Sequence, residues 1–375
     1  MVNMNTIIKD AISSSPNKMI SFAQFMELAL YHPNYGYYMR EQTKIGKKGD
    51  FITSSNISNV FAVLFTNIFI DLVEQQKVSP TIVEIGGGSG RFAKSVLEEW
   101  KERSPQTYEQ LTYILIETSP YHRELQRQLL INEQDKVIQF EHLQQFIENH
   151  PFYQGIVFTN ELFDAFPVEV IEKRNEELHE VMVTLNDNNE IEEYFVPLSN
   201  KEIIKYLEEQ NIELTNGQRF EIPLQMKSFI HELSSTLEQA VVYTVDYGYT
   251  HKEWQHPAHM RGSLRGYHRH QLINNPLLNP GNMDITSHVH LDAVKYYYRK
   301  AGFTEVAMLR QDQFLLEAGI LQYLQDNNDT NPFSEVSKRN RAIRSLILDG
   351  GISSYFHVIM MQKNMDIAWE KNYMC

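Results

Sequence analysis

Thr81-Ile82-Val83-Glu84-Ile85-Gly86-Gly87-Gly88-Ser89-Gly90-Arg91 passes from β-branched residues straight into glycines. The first five residues predict a short buried strand. The four glycines among the next five positions predict a tight turn in which no Cβ keeps a ligand at a distance. Beyond the turn, Phe92, Ala93, Val96, Leu97 and Trp100 recur at helical spacing, which predicts a helix over 89–103. Strand, bare turn and helix in that order aim the unpaired N–H groups of a helix N-terminus at a cavity that suits a nucleotide-like ligand. The spacing narrows the choice of ligand. The dinucleotide fingerprint G-x-G-x-x-G needs a third glycine where this chain has Arg91, so the phase is wrong for NAD or FAD.

Gly86, Gly88 and Gly90 instead form G-x-G-x-G, with Glu84 two residues earlier. This resembles the first motif of class I S-adenosylmethionine (SAM) methyltransferases. The resemblance implies SAM as the cofactor, with the glycines admitting its methionine part and the acid beneath its ammonium group. A glycine-rich turn of some other Rossmann-like protein is the alternative.

Length and composition set the frame for that turn. At 375 residues, 42% hydrophobic and 22% charged, the chain has the composition of a soluble globular protein with room for a large core. A net charge of -14 argues against a nucleic-acid substrate and favours a basic protein partner. The single cysteine, Cys375, allows no internal disulfide and fits a reducing compartment. Met1 to Lys18 lacks a secretory apolar core and the Arg-rich character of a transit peptide. Phe61 to Val73, the most apolar stretch, is too short to span a bilayer. These features predict a cytoplasmic protein without a membrane span; a homodimer stays open as its assembly state.

The remaining elements predict an α/β fold. Ser21 and Gln24 form a capping box for a helix over 21–30, and an aromatic loop, Leu30 to Met39, follows it. Thr112 to Ile116 is a second strand ending in Glu117, where a carboxylate can accept both hydroxyls of a ribose; a solvated acid is the alternative. Ser119-Pro120 opens a helix, Val137 to Phe140 is a third strand and Ile156 to Thr159 a fourth. The fourth strand runs into Asn160, which suits a cofactor amino acid or a substrate nitrogen. Glu161 and Asp164 follow at the predicted start of a helix, a spacing that lets both carboxylates face one way; alternatively Asp164 only complements the helix dipole. Three β-rich segments (168–172, 178–185, 191–196) and helices at 200–209 and 224–238 predict an insertion that covers the cleft or docks a partner. Val241 to Val245 is a fifth strand ending in Asp246 and Tyr247. Residues 249–290 predict a long irregular segment whose histidines, His270 among them, serve as hydrogen-bonding groups, because no spacing matches a known metal site. Helix, strand, helix, helix and strand complete the chain. The predicted division is 1–75 as an N-terminal helical and aromatic-loop extension, 76–167 as the first part of the SAM-binding core, 168–238 as the insertion, and 239–375 as the rest of the core.

Several motifs occur together in this order: Leu30-Tyr31-x-Pro33-x-x-Gly36-Tyr37-Tyr38, Gly49-Asp50-Phe51-x-Thr53-Ser54, the glycine motif, Asn160-Glu161-Leu162-Phe163-Asp164-Ala165-Phe166-Pro167, Asp246-Tyr247-Gly248, Gly262-Ser263-Leu264-Arg265-Gly266-Tyr267, and Pro280-Gly281-x-x-Asp284. Together they resemble the MidA-like family of SAM-dependent methyltransferases, which includes a mitochondrial arginine methyltransferase that assists assembly of respiratory complex I. The resemblance implies a Rossmann-like seven-stranded sheet with an antiparallel last strand, an N-terminal helical extension and an α+β insertion between strands four and five. It also implies methyl transfer to arginine of a protein partner. Glu84, Gly86, Gly88, Gly90, Glu117, Ser119 and Asn160 are then the cofactor-binding candidates. Glu161, Asp50 and Asp164 are the catalytic candidates, and Asp246, Tyr247, His270 and Asp284 the substrate-binding ones. A methyltransferase for a small molecule, and a SAM-binding assembly partner without catalysis, are the competing readings.

Overall fold

The computed structural model describes residues 3–41, 59–268, 271–326, 331, 333–348 and 355–369. Asp50, His270 and Cys375, together with the Gly49-Asp50-Phe51 motif, lie outside the described residues. The chain forms two compact units. One gathers the described residues up to 41 with Phe163–Ile230 and Gly248–Tyr296; the other gathers those from 59 to 162 with His231–Tyr247 and those from Tyr297 onward.

The second unit is organised by a sheet whose strands lie in the order Thr304–Arg310, Phe356–Lys363, Leu237–Tyr249, Tyr153–Asn160, Thr81–Ile85, Thr112–Ile116, Val137–Phe140. The last five of these are mutually parallel. Phe356–Lys363 runs antiparallel to both of its neighbours, as the methyltransferase resemblance implies. Chain order reverses on either side of Thr81–Ile85, which lies between the next strand in sequence and the strand after a crossover. In open α/β sheets the carboxyl ends at such a reversal are where ligands bind. Burial of aromatic rings fixes the helices against this sheet. Phe92, in the first turn of helix Arg91–Arg103, stacks on Phe158 at 4.2 Å with planes 4° apart. Phe65, from helix Asn59–Glu74, stacks on Phe314 at 4.9 Å. The first of these contacts sets the helix end that the glycine turn must meet.

Sequence and structure part over strand Leu237–Tyr249. The helix expected to run to 238 ends at Thr236, and the strand expected over Val241 to Val245 begins at Leu237. Pairing explains the change: Leu237 already pairs with Tyr153, and after an irregularity before Gln239 the backbone follows the register of Gln154 and its successors.

In the first unit, the start of the chain and the inserted segment share one antiparallel sheet. Met19–Ser21 pairs with Glu177–Leu185, which also pairs with Glu169–Arg174 and Ile191–Pro197; Arg219–Ile222 closes the far edge. Residues 249–290 are less irregular than their composition suggests. They hold a three-stranded sheet of Gln271–Ile273, Arg265–His268 and Asp284–Thr286. Strands this short, amid His, Asn and Gly, leave no period to read.

The capping box expected at Ser21 is present. Ser21 Oγ accepts the Gln24 N–H at 3.2 Å, and Gln24 Oε1 accepts the Ser21 N–H at 2.9 Å. The same hydroxyl donates to Glu169 Oε1 at 3.0 Å, tying helix Phe22–Tyr31 to the sheet. Ser21→Ala is expected to destabilise the protein by about 1–2 kcal/mol, since it removes the cap and leaves the half-buried Glu169 carboxylate short of a donor. Urea unfolding checks this; an unchanged midpoint would remove the hydroxyl from the stabilising contacts.

Candidate active site

Glu84 precedes the glycine turn on strand Thr81–Ile85 and is buried, with Tyr113 Oη donating to its Oε2 at 2.7 Å. Burial pushes the Glu84 carboxyl up to about 8; the Tyr113 hydrogen bond opposes the rise and the charge of Glu117 adds to it. The turn that follows has little freedom. Gly88 lies in the left-handed region at φ 51°, its N–H donates to Glu117 Oε2 at 2.9 Å, and its carbonyl accepts Gln126 Nε2 at 2.8 Å. Gly90, at φ 81°, begins helix Arg91–Arg103 with no side-chain cap, and a Cβ there would lie 3.0 Å from Gln126.

Glu117 stands at the tip of the adjacent strand, as the sequence predicts. Its Oε1 accepts the Ser119 N–H at 2.9 Å while its Oε2 holds Gly88, so one carboxylate braces two loops. Ser119 caps helix Pro120–Leu129, with Oγ accepting from the His122 N–H at 3.4 Å. Two residues missed by sequence reasoning support this corner. The Arg123 guanidinium donates to the carbonyls of Glu117 and Thr118 at 2.9 and 2.8 Å and to Glu141 at 2.7 Å. Gln126, besides holding Gly88, accepts from Gln139 Nε2 at 2.8 Å. Both lie one helical turn apart on the buried face of Pro120–Leu129. That spacing is the one signal by which the sequence could have marked them.

Register places the other candidates. Ile85 pairs with Thr159 and Asn160 with Val245, so Gly86 and Asn160 stand at the carboxyl ends of adjacent strands, with Asp246 level with them on strand Leu237–Tyr249. Asn160 Nδ2 donates to Glu161 Oε1 at 3.1 Å, and Asn160 Oδ1 is buried without a hydrogen-bond partner. Glu161 adopts φ 52°, a left-handed backbone held by its N–H on the Val245 carbonyl at 2.9 Å. Asp246 is buried and accepts the Tyr247 N–H at 2.9 Å; the Tyr247 ring packs edge-on against Phe356.

The first unit holds the remaining two carboxylates. Asp164 is buried in the 3-10 turn Phe163–Ala165, and its carbonyl accepts the Ser287 N–H at 3.0 Å. This corrects the expectation that Glu161 and Asp164 open one helix. A three-residue turn follows Glu161, so neither the shared helical face nor the helix dipole applies. Asp284, in strand Asp284–Thr286, accepts the Tyr38 hydroxyl at 2.7 Å. Among the histidines, burial pushes His288 down to about 4 and His290 to about 3, so both are neutral at physiological pH. Tyr249 stacks on His288 at 4.4 Å, and the Tyr206 hydroxyl meets His290 Nδ1 at 2.5 Å. Among the described residues, no group of three or more His, Cys, Asp or Glu side chains is arranged to hold a metal ion.

A parallel sheet with its order reversed beside a bare glycine turn, and an acid at the tip of the next strand, defines the class of Rossmann-like SAM methyltransferases. The residues fit that cofactor: the turn lacks side chains where a ligand must approach, and Asn160 Oδ1 is a buried acceptor in need of a donor. Comparison with known proteins agrees. The chain belongs to the MidA-like family of S-adenosyl-L-methionine-dependent methyltransferases, whose profile matches residues 64–308. A COG1565 superfamily member from Burkholderia thailandensis, solved with S-adenosyl-homocysteine bound, superposes with a TM-score of 0.87 at 25% identity, covering 97% of this chain and 93% of that one. A zebrafish (Danio rerio) protein named protein arginine methyltransferase NDUFAF7, mitochondrial, is 26% identical over 344 residues, 83% of this chain and 76% of its own length. The human protein of that name is 24% identical over 329 residues, 80% of this chain and 70% of its own. The mitochondrial names of these relatives overturn the cytoplasmic location read from the sequence. Compartment is set by address signals that receptors read, which overall charge and cysteine count do not encode. No described helix is long and apolar enough to cross a membrane.

Proposed function

We propose that this chain transfers a methyl group from SAM to arginine side chains of a protein partner and, following the family resemblance, that the partner is a respiratory-complex subunit. The observation that carries the reading is the Glu161 carboxylate at the end of strand Tyr153–Asn160. Its left-handed backbone is held by the Val245 carbonyl and the Asn160 amide donates to it at 3.1 Å, so it is a placed acceptor beside the cofactor-binding strand ends. A guanidinium, planar and made of N–H donors alone, is the complementary group. The relatives named protein arginine methyltransferases support the same acceptor.

Bound SAM supplies a sulfonium methyl group for direct displacement. The chain's own work is placement, proton removal and exclusion of water. In this reading Gly86, Gly88 and Gly90 permit close backbone approach, Glu84 meets the ligand's ammonium group, Glu117 and Ser119 hold the ribose side, and Asn160 orients the ligand. Glu161 orients the guanidinium and accepts the proton released as the N–C bond forms; Asp50 and Asp164 are the alternative candidates for that base. Asp246, Tyr247, His270 and Asp284 are the acceptor-binding candidates that the family resemblance implies. Incubation of the protein with labelled SAM and extract from cells lacking this chain is expected to label a protein band whose hydrolysate contains methylarginine. Binding of SAM with no transfer to protein would count against the reading.

Glu84 makes cofactor binding depend on pH. Since its carboxyl titrates near 8, pairing it with an ammonium group at pH 7 requires release of a proton. Affinity for S-adenosyl-homocysteine is expected to rise from pH 6 to 8, by up to about tenfold per pH unit, and calorimetry in two buffers should register the proton. An affinity flat across that range would detach Glu84 from the ligand. In the ligand-free protein, the stability associated with a protonated Glu84 is full below the ordinary carboxylate range and is lost as pH rises through about 8.

A further inference from the structure

The aromatic segment Tyr31 to Met39, which starts at the last residue of helix Phe22–Tyr31, has a structural role with a chemical consequence. Tyr31 and Tyr38 stack at 5.5 Å with planes 28° apart, and Tyr37 packs edge-on against Tyr38 at 5.2 Å. Each stacked tyrosine sends its hydroxyl to a segment that carries an acid. Tyr38 donates to Asp284 Oδ1 at 2.7 Å. Tyr31 donates at 2.9 Å to the carbonyl of Ala165, the residue after Asp164. The two acid-bearing segments are joined by the Ser287 N–H on the Asp164 carbonyl, and Tyr267 faces Asp284 as its antiparallel register partner.

The loop is locked in place. A Cβ on Gly36 would lie 2.5 Å from the His32 nitrogen, and one on Gly281 would lie 2.6 Å from the Tyr35 carbonyl oxygen. Arg40 donates to the Gly281 carbonyl at 3.0 Å. Burial, with the charge of Asp284 adding, holds the Tyr38 phenol well above its ordinary range, so it remains a donor. A guanidinium is recognised by the plane of a carboxylate. A carboxylate held by an O–H on a stacked, half-buried ring keeps that plane and loses little freedom on binding.

We propose that Tyr38, with Tyr31 stacked on it, is a positioning residue for the methyl acceptor: its hydroxyl fixes Asp284 in the orientation that receives the guanidinium. The inference rests on the assignment of Asp284 to acceptor binding. It is tested with Tyr38→Phe, Asp284→Asn and the double variant in the extract-labelling assay. Initial rates are followed against extract concentration and normalised to the S-adenosyl-homocysteine sites counted by calorimetry, which removes any unfolded fraction. Tyr38→Phe is expected to lower kcat/KM about tenfold, chiefly through KM for the extract protein. Affinity for S-adenosyl-homocysteine is expected to stay unchanged, and the double variant to be no worse than Asp284→Asn alone. Normal kcat/KM in Tyr38→Phe beside a defective Asp284→Asn would overturn the positioning role and leave the Asp284 assignment standing. Normal turnover in Asp284→Asn would overturn that assignment and the inference with it.

Discussion

Gly88→Val is expected to lower affinity for S-adenosyl-homocysteine at least about a hundredfold while leaving the protein folded. The backbone at this position lies in the left-handed region, where a β-branched residue is strained by roughly 1–2 kcal/mol. It cannot relax locally, because the N–H is held by Glu117 and the carbonyl by Gln126. Any relief must break the contact that connects the glycine turn to the acid of the next strand, and in the proposed reading a side chain there crowds the turn that the cofactor approaches. Gly302→Ala is the control. That glycine has φ 91° but open space around it, so its substitution reports backbone strain alone and should leave binding intact. Equal loss of binding in both variants would show that the effect comes from general destabilisation.

Glu161→Gln is expected to lower kcat by about 10²–10⁴-fold, the range for loss of a general base, with affinity for S-adenosyl-homocysteine within about threefold of wild type. The amide keeps the size of the side chain and an oxygen for Asn160 Nδ2, so the left-handed backbone and its bond to Val245 need not change. What disappears is the negative charge that orients a guanidinium and takes its proton. A non-glycine residue held at φ 52° beside a ligand-binding strand end is strained, and such strain persists where the surroundings over-determine it. Turnover within twofold of wild type would move the base elsewhere, with Asp50 next in line.

These expectations stand on parts of the fold that are unequally legible in the sequence. The strands Thr81–Ile85, Thr112–Ile116 and Val137–Phe140 and the Ser21 cap were all readable, because each is a local pattern of period or capping. Arg219–Ile222 was not read, since four residues without a turn signal acquire strand geometry only by pairing with Glu169–Arg174. Asp284–Thr286 is shorter still and depends on Arg265–His268 for its register. The candidate site divides in the same way. The glycines and Glu117 follow from spacing along the chain. Tyr113, Gln126 and Tyr38 act across 29, 38 and 246 residues, and nothing in a single sequence names the partners of such contacts. The helix expected after Asn160 failed because Glu161 turns left-handed, a local choice set by its bond to the neighbouring strand.

The most direct test is tandem mass spectrometry of the protein labelled by this chain in extract. Methyl groups confined to guanidinium nitrogens of arginine, and absent when Gly88→Val replaces the wild type, are the predicted result. Methyl groups on lysine, on carboxylates or in the small-molecule fraction would contradict it.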